Sequence, residues 1–182
     1  STFKTPPDCG ENSYQGTGRL HGLRALIPGG DSGIGRATAI AYAREGTKVA
    51  INYMPEESDA QELVDVLEPK GLTVERIPGN LLNETFYAKL VHEAHMCLGG
   101  LDILVSQASF SGYLDSPNYQ PISNQSTAQL EQVFRTNVFA GIFLTRAVVP
   151  LLPRGGSIIF TTSDMAAEPI PNGVVYGASK EL

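Results

Sequence analysis

The sequence predicts an α/β fold, a three-layer αβα sandwich around a parallel sheet. Three observations carry this. Five short apolar runs alternate with segments of helical periodicity. A glycine-rich stretch, Gly29 to Gly35, falls between the first run and the first helical segment. The helical segments then end on breakers: Gly46, Gly71, Gly99-Gly100, and Pro150 with Pro153. Strands that alternate with helices pair in parallel, with right-handed crossovers and both sheet faces covered.

Residues 1–22 come first and read as an irregular arm, since Pro6-Pro7, Gly10, Gly16 and Gly18 leave no apolar period. The domain occupies 23–182. Leu23–Ile27 is a short apolar run ending in glycines, hence a buried strand. Gly33–Glu45 carries small and apolar residues at helical spacing. Lys48–Tyr53 is a second strand. Asp59–Lys70 sets Leu63, Val66 and Leu67 on one face of a helix. Leu72–Ile77 is the third strand and Glu84–Leu98 the third helix. Leu101–Ser106 is the fourth strand, followed by a polar loop from Gly112 to Gln125. Ser126 with Gln129 forms a capping box, and the helix it opens runs toward Leu152. Ser157–Thr162 is the fifth strand, and a last helix begins near Val175. The loops at 28–35, 52–58, 79–83, 106–112 and 163–173 follow the strands' carboxyl ends, where ligands of such sheets bind.

Composition narrows the function classes. The net charge is −6 and the 13 basic residues are scattered, which argues against nucleic acid. No apolar run approaches the roughly 20 residues of a membrane helix, and no signal peptide opens the chain. Cys9 and Cys97 make neither a disulfide framework nor a metal site, so free thiols and a cytoplasmic setting are expected. His21, His92 and His95 read as structural or surface residues, and no metal is expected.

Composition alone yields the pattern Gly29-x-x-x-Gly33-x-Gly35 about 0.2 times in such a chain. Its placement after a strand and before a helix is what gives it meaning. Glycine admits positive φ and close backbone approach, and the N–H groups that open the helix then face a pyrophosphate. The expectation is the phosphate turn of a Rossmann-type dinucleotide-binding domain; the plainer reading is a glycine-rich strand–helix turn with no ligand. Tyr176 and Lys180, four apart, share one face of the last helix.

Five segments in order carry a resemblance: GGDSGIGRA at 29–37, LDILVSQAS at 101–109, RTNVFAGIF at 135–143, SIIFTTS at 157–163 and YGASK at 176–180. Together they resemble the short-chain dehydrogenase/reductase family. Within it, the arm KTPPDCGENSYQGTGRL and the segment INYMPEE look like bacterial stress-related and glucose/ribitol-dehydrogenase-like oxidoreductases. The resemblance implies hydride transfer between a nicotinamide and an alcohol/carbonyl substrate. Tyr176 is then the acid or base, and a free phenol ionises near pH 10, so the role needs a cation beside it. The resemblance assigns that part to Lys180, which also holds the nicotinamide ribose. It assigns the substrate carbonyl to Ser163 and a relay water to Asn137. Cofactor contacts fall on Gly29, Asp31, Ser32, Gly33, Ile34, Gly35, Asn52, Tyr53, Asn80, Leu81, Ala108 and Ser109, as well as on Tyr176 and Lys180. Plainer readings stand beside these. Asn137 bonds a neighbouring backbone, Ser163 caps a strand end, Tyr176 packs, and Lys180 is solvated.

The chain departs from the family pattern at four points. Pro28 stands where Thr is usual and removes a backbone donor. Ser106-Gln107-Ala108-Ser109 replaces Asn-Asn-Ala-Gly, and Asn80 replaces an Asp. Leu182 falls two residues after Lys180, where relatives continue with two more strands. The expectation is a truncated product that lacks the C-terminal strands, leaves the fifth strand as an open edge and weakens the family-type homo-oligomer. No acid follows the second strand until Glu56, which disfavours NAD. Arg36 is either a reader of a 2′-phosphate or an exposed helix residue. The expected cofactor is NADP or NAD, with NADP favoured. The competing expectation is a non-catalytic dinucleotide-binding remnant, or an interaction partner of full-length relatives.

Overall fold

A computed structural model describes residues 7–55, 58–111, 121–168 and 170–181 of the 182-residue chain. Residues 1–6 of the arm, Glu56, Glu57, most of the polar loop (112–120), Pro169 and Leu182 lie outside the described residues. The strands are β1 (Arg24–Pro28), β2 (Lys48–Tyr53), β3 (Val74–Pro78), β4 (Ile103–Ser106) and β5 (Ser157–Phe160). They form one all-parallel sheet in the order β3-β2-β1-β4-β5. The fold class read from the sequence is therefore the observed one. The strand order reverses direction between β1 and β4, and at such a point the loops diverge and leave a crevice.

Alternation along β1 builds the layers. Ala25 and Ile27 face one side and pack with Ala39, Ile40 and Ala43 of helix α1 (Gly33–Arg44) and with Leu63 and Leu67 of helix α2 (Asp59–Leu67). Leu26 faces the other side, against Leu90, Val91 and Ala94 of helix α3 (Phe86–Leu98) and Leu144 and Val148 of helix α5 (Ala140–Val148). Arg24 and Asp102 tie β1 to β4 at the amino ends. The carboxylate accepts from Nε at 2.7 Å, from a guanidinium N–H at 2.9 Å and from the Arg24 backbone N–H at 3.0 Å. Among the described residues no helix is long and apolar enough to cross a membrane.

Most element boundaries shift by one or two residues from the sequence reading, and four differences have a clear local cause or consequence. The second helix tightens into a 3-10 turn at Glu68–Lys70, around Pro69. Gly71 then turns left-handed, with φ +71°, and β3 starts at Val74. The fifth strand ends at Phe160 rather than Thr162. The helix from Ser126 is not continuous. Its capping box is present as expected, but helix α4 (Thr127–Phe134) gives way to a π-turn at Arg135–Phe139 before α5. The sequence reads as one helix here, because the flanking helices are short and the phase shift of about 100° that one extra residue brings is spread over a single turn. β5 is the sheet edge among the described strands, with Ile159 and Phe160 exposed.

The arm has no regular structure over its described part, yet polar contacts hold it. Glu45, buried at the end of α1, accepts hydrogen bonds from the Tyr14 hydroxyl, from the backbone N–H groups of Thr17 (3.0 Å) and Arg19 (2.8 Å), and from the Arg19 guanidinium (3.3 Å). Arg44 donates to the carbonyls of Glu11 and Tyr14. The Tyr14 hydroxyl, foremost, draws the Glu45 carboxyl down to about 2. A carboxyl that ionises more easily folded than unfolded stabilises fully above its unfolded value, and that stability is lost as pH falls through the folded one. Thermal unfolding from pH 6 to pH 2 checks this. Wild type is expected to be more stable than Glu45→Gln at pH 6, with the gap closing as pH falls from about 4.5 toward 2. A gap that stays constant with pH rules the clamp out.

Candidate nucleotide and catalytic site

A cavity of about 750 Å3 opens at the carboxyl ends of the strands. That is within the usual range for ligand sites. All five expected loops contribute to its wall, from Gly29 in the first to Asp164 in the last.

The glycine turn forms one side. Gly29 has φ +74°, and a Cβ built there would lie 2.7 Å from the Ala108 backbone. A Cβ on Gly35 would run into the Gly29 carbonyl. The β1–α1 turn and the β4 loop therefore touch backbone to backbone, which only glycine permits. Ser32 begins α1, but its side chain makes no capping bond, and the first turn holds no acidic residue. The N–H groups that open α1 thus take no cap from the Ser32 side chain. That is the arrangement a bound phosphate completes. Pro28 does not spoil it. The proline is buried at the end of β1, and its carbonyl accepts from Gln107 N–H at 3.0 Å. The next donor, Gly29 N–H, is bonded to the Asn52 carbonyl at 2.8 Å.

Every residue expected to touch the cofactor lines this cavity: Gly29, Asp31, Ser32, Gly33, Ile34 and Gly35, then Asn52, Tyr53, Asn80, Leu81, Ala108 and Ser109, and finally Tyr176 and Lys180. Asn52 and Asn80 are partly committed elsewhere. Asn52 donates both amide hydrogens, to the carbonyls of Ile77 and Gly79, each at 3.0 Å. Only its carbonyl oxygen is left to offer a ligand. Asn80 accepts from Leu82 N–H at 2.8 Å, which shapes the loop after β3. Arg36 does not line the cavity. Its guanidinium donates to Glu11 of the arm at 3.1 Å and to Glu62 at 3.4 Å. The reading of Arg36 as an exposed helix residue is not met: the residue is half-buried and anchors the arm. The arm supplies the unforeseen carboxylate, which helical periodicity cannot reveal.

Helix α6 (Val174–Ser179) forms the opposite wall. Tyr176 is half-buried and Lys180 is buried, so the lysine is not a solvated surface residue. Lys180 Nζ donates to the Thr161 carbonyl at 3.2 Å and lies 5.8 Å from the Tyr176 ring centroid. Burial pushes the ammonium's pKa down from its ordinary value. Ser163 lines the cavity and also caps the short turn that follows it, accepting from Met165 N–H at 3.2 Å. Asn137 does not line the cavity. Its amide donates to the Phe110 carbonyl at 3.0 Å and to Ser179 Oγ at 2.8 Å, and its oxygen accepts from Phe110 N–H at 2.7 Å. The plainer reading of Asn137, bonding to backbone, is present in full. Sequence reasoning missed Thr161 and Phe110, which act here through backbone groups that carry no residue signature. Ser179 lies inside the YGASK segment, where sequence reasoning gives it no role.

Residues 24–181 match the short chain dehydrogenase family. The chain is 48% identical over 175 residues to the "Uncharacterized oxidoreductase YghA" of Escherichia coli (strain K12), covering 96% of this chain and 58% of that protein. It is 34% identical over 184 residues to the "NADPH-dependent aldehyde reductase 1, chloroplastic" of Arabidopsis thaliana, covering 98% and 62%. A solved short chain dehydrogenase from Burkholderia cenocepacia J2315, in complex with NADP, superposes with a TM-score of 0.81 at 31% identity, over 90% of this chain and 64% of that one. The chain thus spans about three fifths of the length of these relatives. With the family match running from β1 to the residue after Lys180, on a parallel sheet with a glycine cradle at its switch point, this chain belongs to the short chain dehydrogenase family.

Proposed function

We propose that this chain carries the dinucleotide cradle and the proton-transfer residues of a nicotinamide-dependent oxidoreductase acting on an alcohol/carbonyl pair. One observation carries the reading. The buried Lys180 ammonium and Tyr176 share one wall of a cavity whose other wall is the glycine turn and the start of α1, which the Ser32 side chain leaves uncapped. The cradle keeps its shape because Gly29 and Gly35 lack the Cβ atoms that would collide with the Ala108 backbone and the Gly29 carbonyl. The turn Gly29–Gly35 would hold the pyrophosphate, Asn80 and Leu81 the adenine, and Lys180 the nicotinamide ribose. When bound, the nicotinamide supplies or accepts the hydride. Tyr176 gives its hydroxyl proton to the substrate oxygen in reduction and takes it back in oxidation. Lys180, close to the ring and held by the Thr161 carbonyl, favours the phenolate left behind. Ser163 Oγ positions the substrate oxygen. Asn137 acts from behind the wall.

NADP is the first cofactor to test, on the strength of the NADP complex of the Burkholderia relative and the name of the Arabidopsis one. Arg36 adds nothing to that preference, since Glu11 and Glu62 hold it. An aldehyde is the first substrate class, for the same reason of name. The test is a titration of NADPH and NADH fluorescence with the purified chain, followed by loss of absorbance at the reduced nicotinamide band with a panel of aldehydes and ketones. Binding with turnover is expected. Binding without turnover of any carbonyl supports instead the non-catalytic binding module, and no binding overturns both.

A further inference from the structure

Ser179 is the most deeply buried polar residue near the cavity, with 1% of its surface exposed, and the acid/base chemistry leaves it without a role. Its hydroxyl makes two hydrogen bonds that run through it in one direction. It accepts from the Asn137 amide at 2.8 Å and donates to the Tyr176 carbonyl at 2.7 Å. Asn137 is itself gripped twice by the Phe110 backbone, in the loop after β4. It stands in the π-turn between α4 and α5, where the helix widens. The chain of contacts therefore reads Phe110, Asn137, Ser179, Tyr176, and links three separate elements.

That chain of contacts pins helix α6 to the π-turn and to the loop after β4. Val175 buries one apolar side chain, while Val174 and Ala178 are exposed and Tyr176 is half-buried. We infer that Ser179 is a positioning residue: a hydroxyl strut between Asn137 and the Tyr176 carbonyl that sets α6 on the cavity wall and so places Tyr176 and Lys180. This rests on the reading of Tyr176 as acid and base. It adds that Asn137 reaches the site through Ser179 as well as through the Phe110 loop. A hydroxyl is required because the strut must accept at one end and donate at the other, which neither a methyl nor an apolar side chain does.

The test compares wild type, Ser179→Ala, Ser179→Thr, Asn137→Ala and the double variant, by amide hydrogen exchange of the 174–181 segment and by steady-state kinetics. Ser179→Ala is expected to speed exchange of that segment at least about ten-fold while other segments keep their protection. It is expected to lower kcat about ten-fold or more with the KM for the reduced cofactor little changed. Ser179→Thr, which keeps the hydroxyl, is expected to restore both. The double variant is expected to lose no more than Asn137→Ala alone, since residues in one network are not additive. Unchanged exchange in Ser179→Ala overturns the strut, whatever the kinetics. Changed exchange with unchanged kcat, additive losses, or a Thr variant no better than Ala overturns the positioning role. A wild type that turns over no carbonyl while Ser179→Ala still loosens α6 overturns the reading of Tyr176 and upholds the strut.

Discussion

Tyr176→Phe is expected to lower turnover about 1,000-fold while leaving the affinity for the reduced dinucleotide within about two-fold, in the middle of the range for loss of a positioned acid or base. The substitution deletes one oxygen and keeps the ring, so the half-buried packing of α6 survives. What disappears is the phenolic proton, carried by a group with an ammonium 5.8 Å from its ring. The two quantities separate because the cradle lies on the other wall, at Gly29–Gly35. Single-turnover rates with a carbonyl substrate and fluorescence titration with the reduced cofactor measure them independently. An unchanged rate means that Tyr176 is not the acid, and Ser163 becomes the next residue to examine.

Gly35→Ala is expected to weaken dinucleotide binding about 100-fold or more and to destabilise the fold by about 1–3 kcal/mol. Its Cβ would collide with the Gly29 carbonyl, a backbone atom that cannot swing away. Relief requires the turn to open. Opening it moves Gly29 off Ala108 and displaces the N–H groups at the start of α1. Charge-assisted hydrogen bonds to a phosphate contribute about 1.5–3 kcal/mol each, so losing one or two accounts for the affinity change. Gly33 is the internal control. Its φ of +51° disfavours a side chain, but a Cβ there meets nothing within 4 Å, so Gly33→Ala is expected to cost stability with less loss of binding. Chemical denaturation and the same fluorescence titration distinguish the two variants. Equal losses from both would show that backbone strain, not the close approach, governs the turn.

Much of this site is legible in the amino-acid sequence. Apolar runs and breakers locate all five strands, because strand burial and helix termination are written in residue type at short range. The glycine spacing locates the cradle, since only a residue without a Cβ tolerates the approach of Gly29 to Ala108. The four-residue spacing of Tyr176 and Lys180 puts them together, because helical geometry does not depend on what surrounds the helix. All twelve loop and turn residues expected at the cofactor line one cavity.

The tertiary structure decides which partner each polar group takes. By type and position Arg36 is available to a 2′-phosphate, but the arm engages it through Glu11. Asn52 has the position of a cofactor contact, but the carbonyls of Ile77 and Gly79 occupy its amide. Asn137 has the position of a site residue, yet it is a clamp behind the wall, in a π-turn that no periodicity announces. In each case the partner is 25 or more residues away in the chain, and most often a backbone atom. Residue types and local spacing set backbone shape and which faces are buried. Hydrogen bonds are short and directional, so a polar side chain's role is settled only when the fold brings a distant donor or acceptor within about 3 Å.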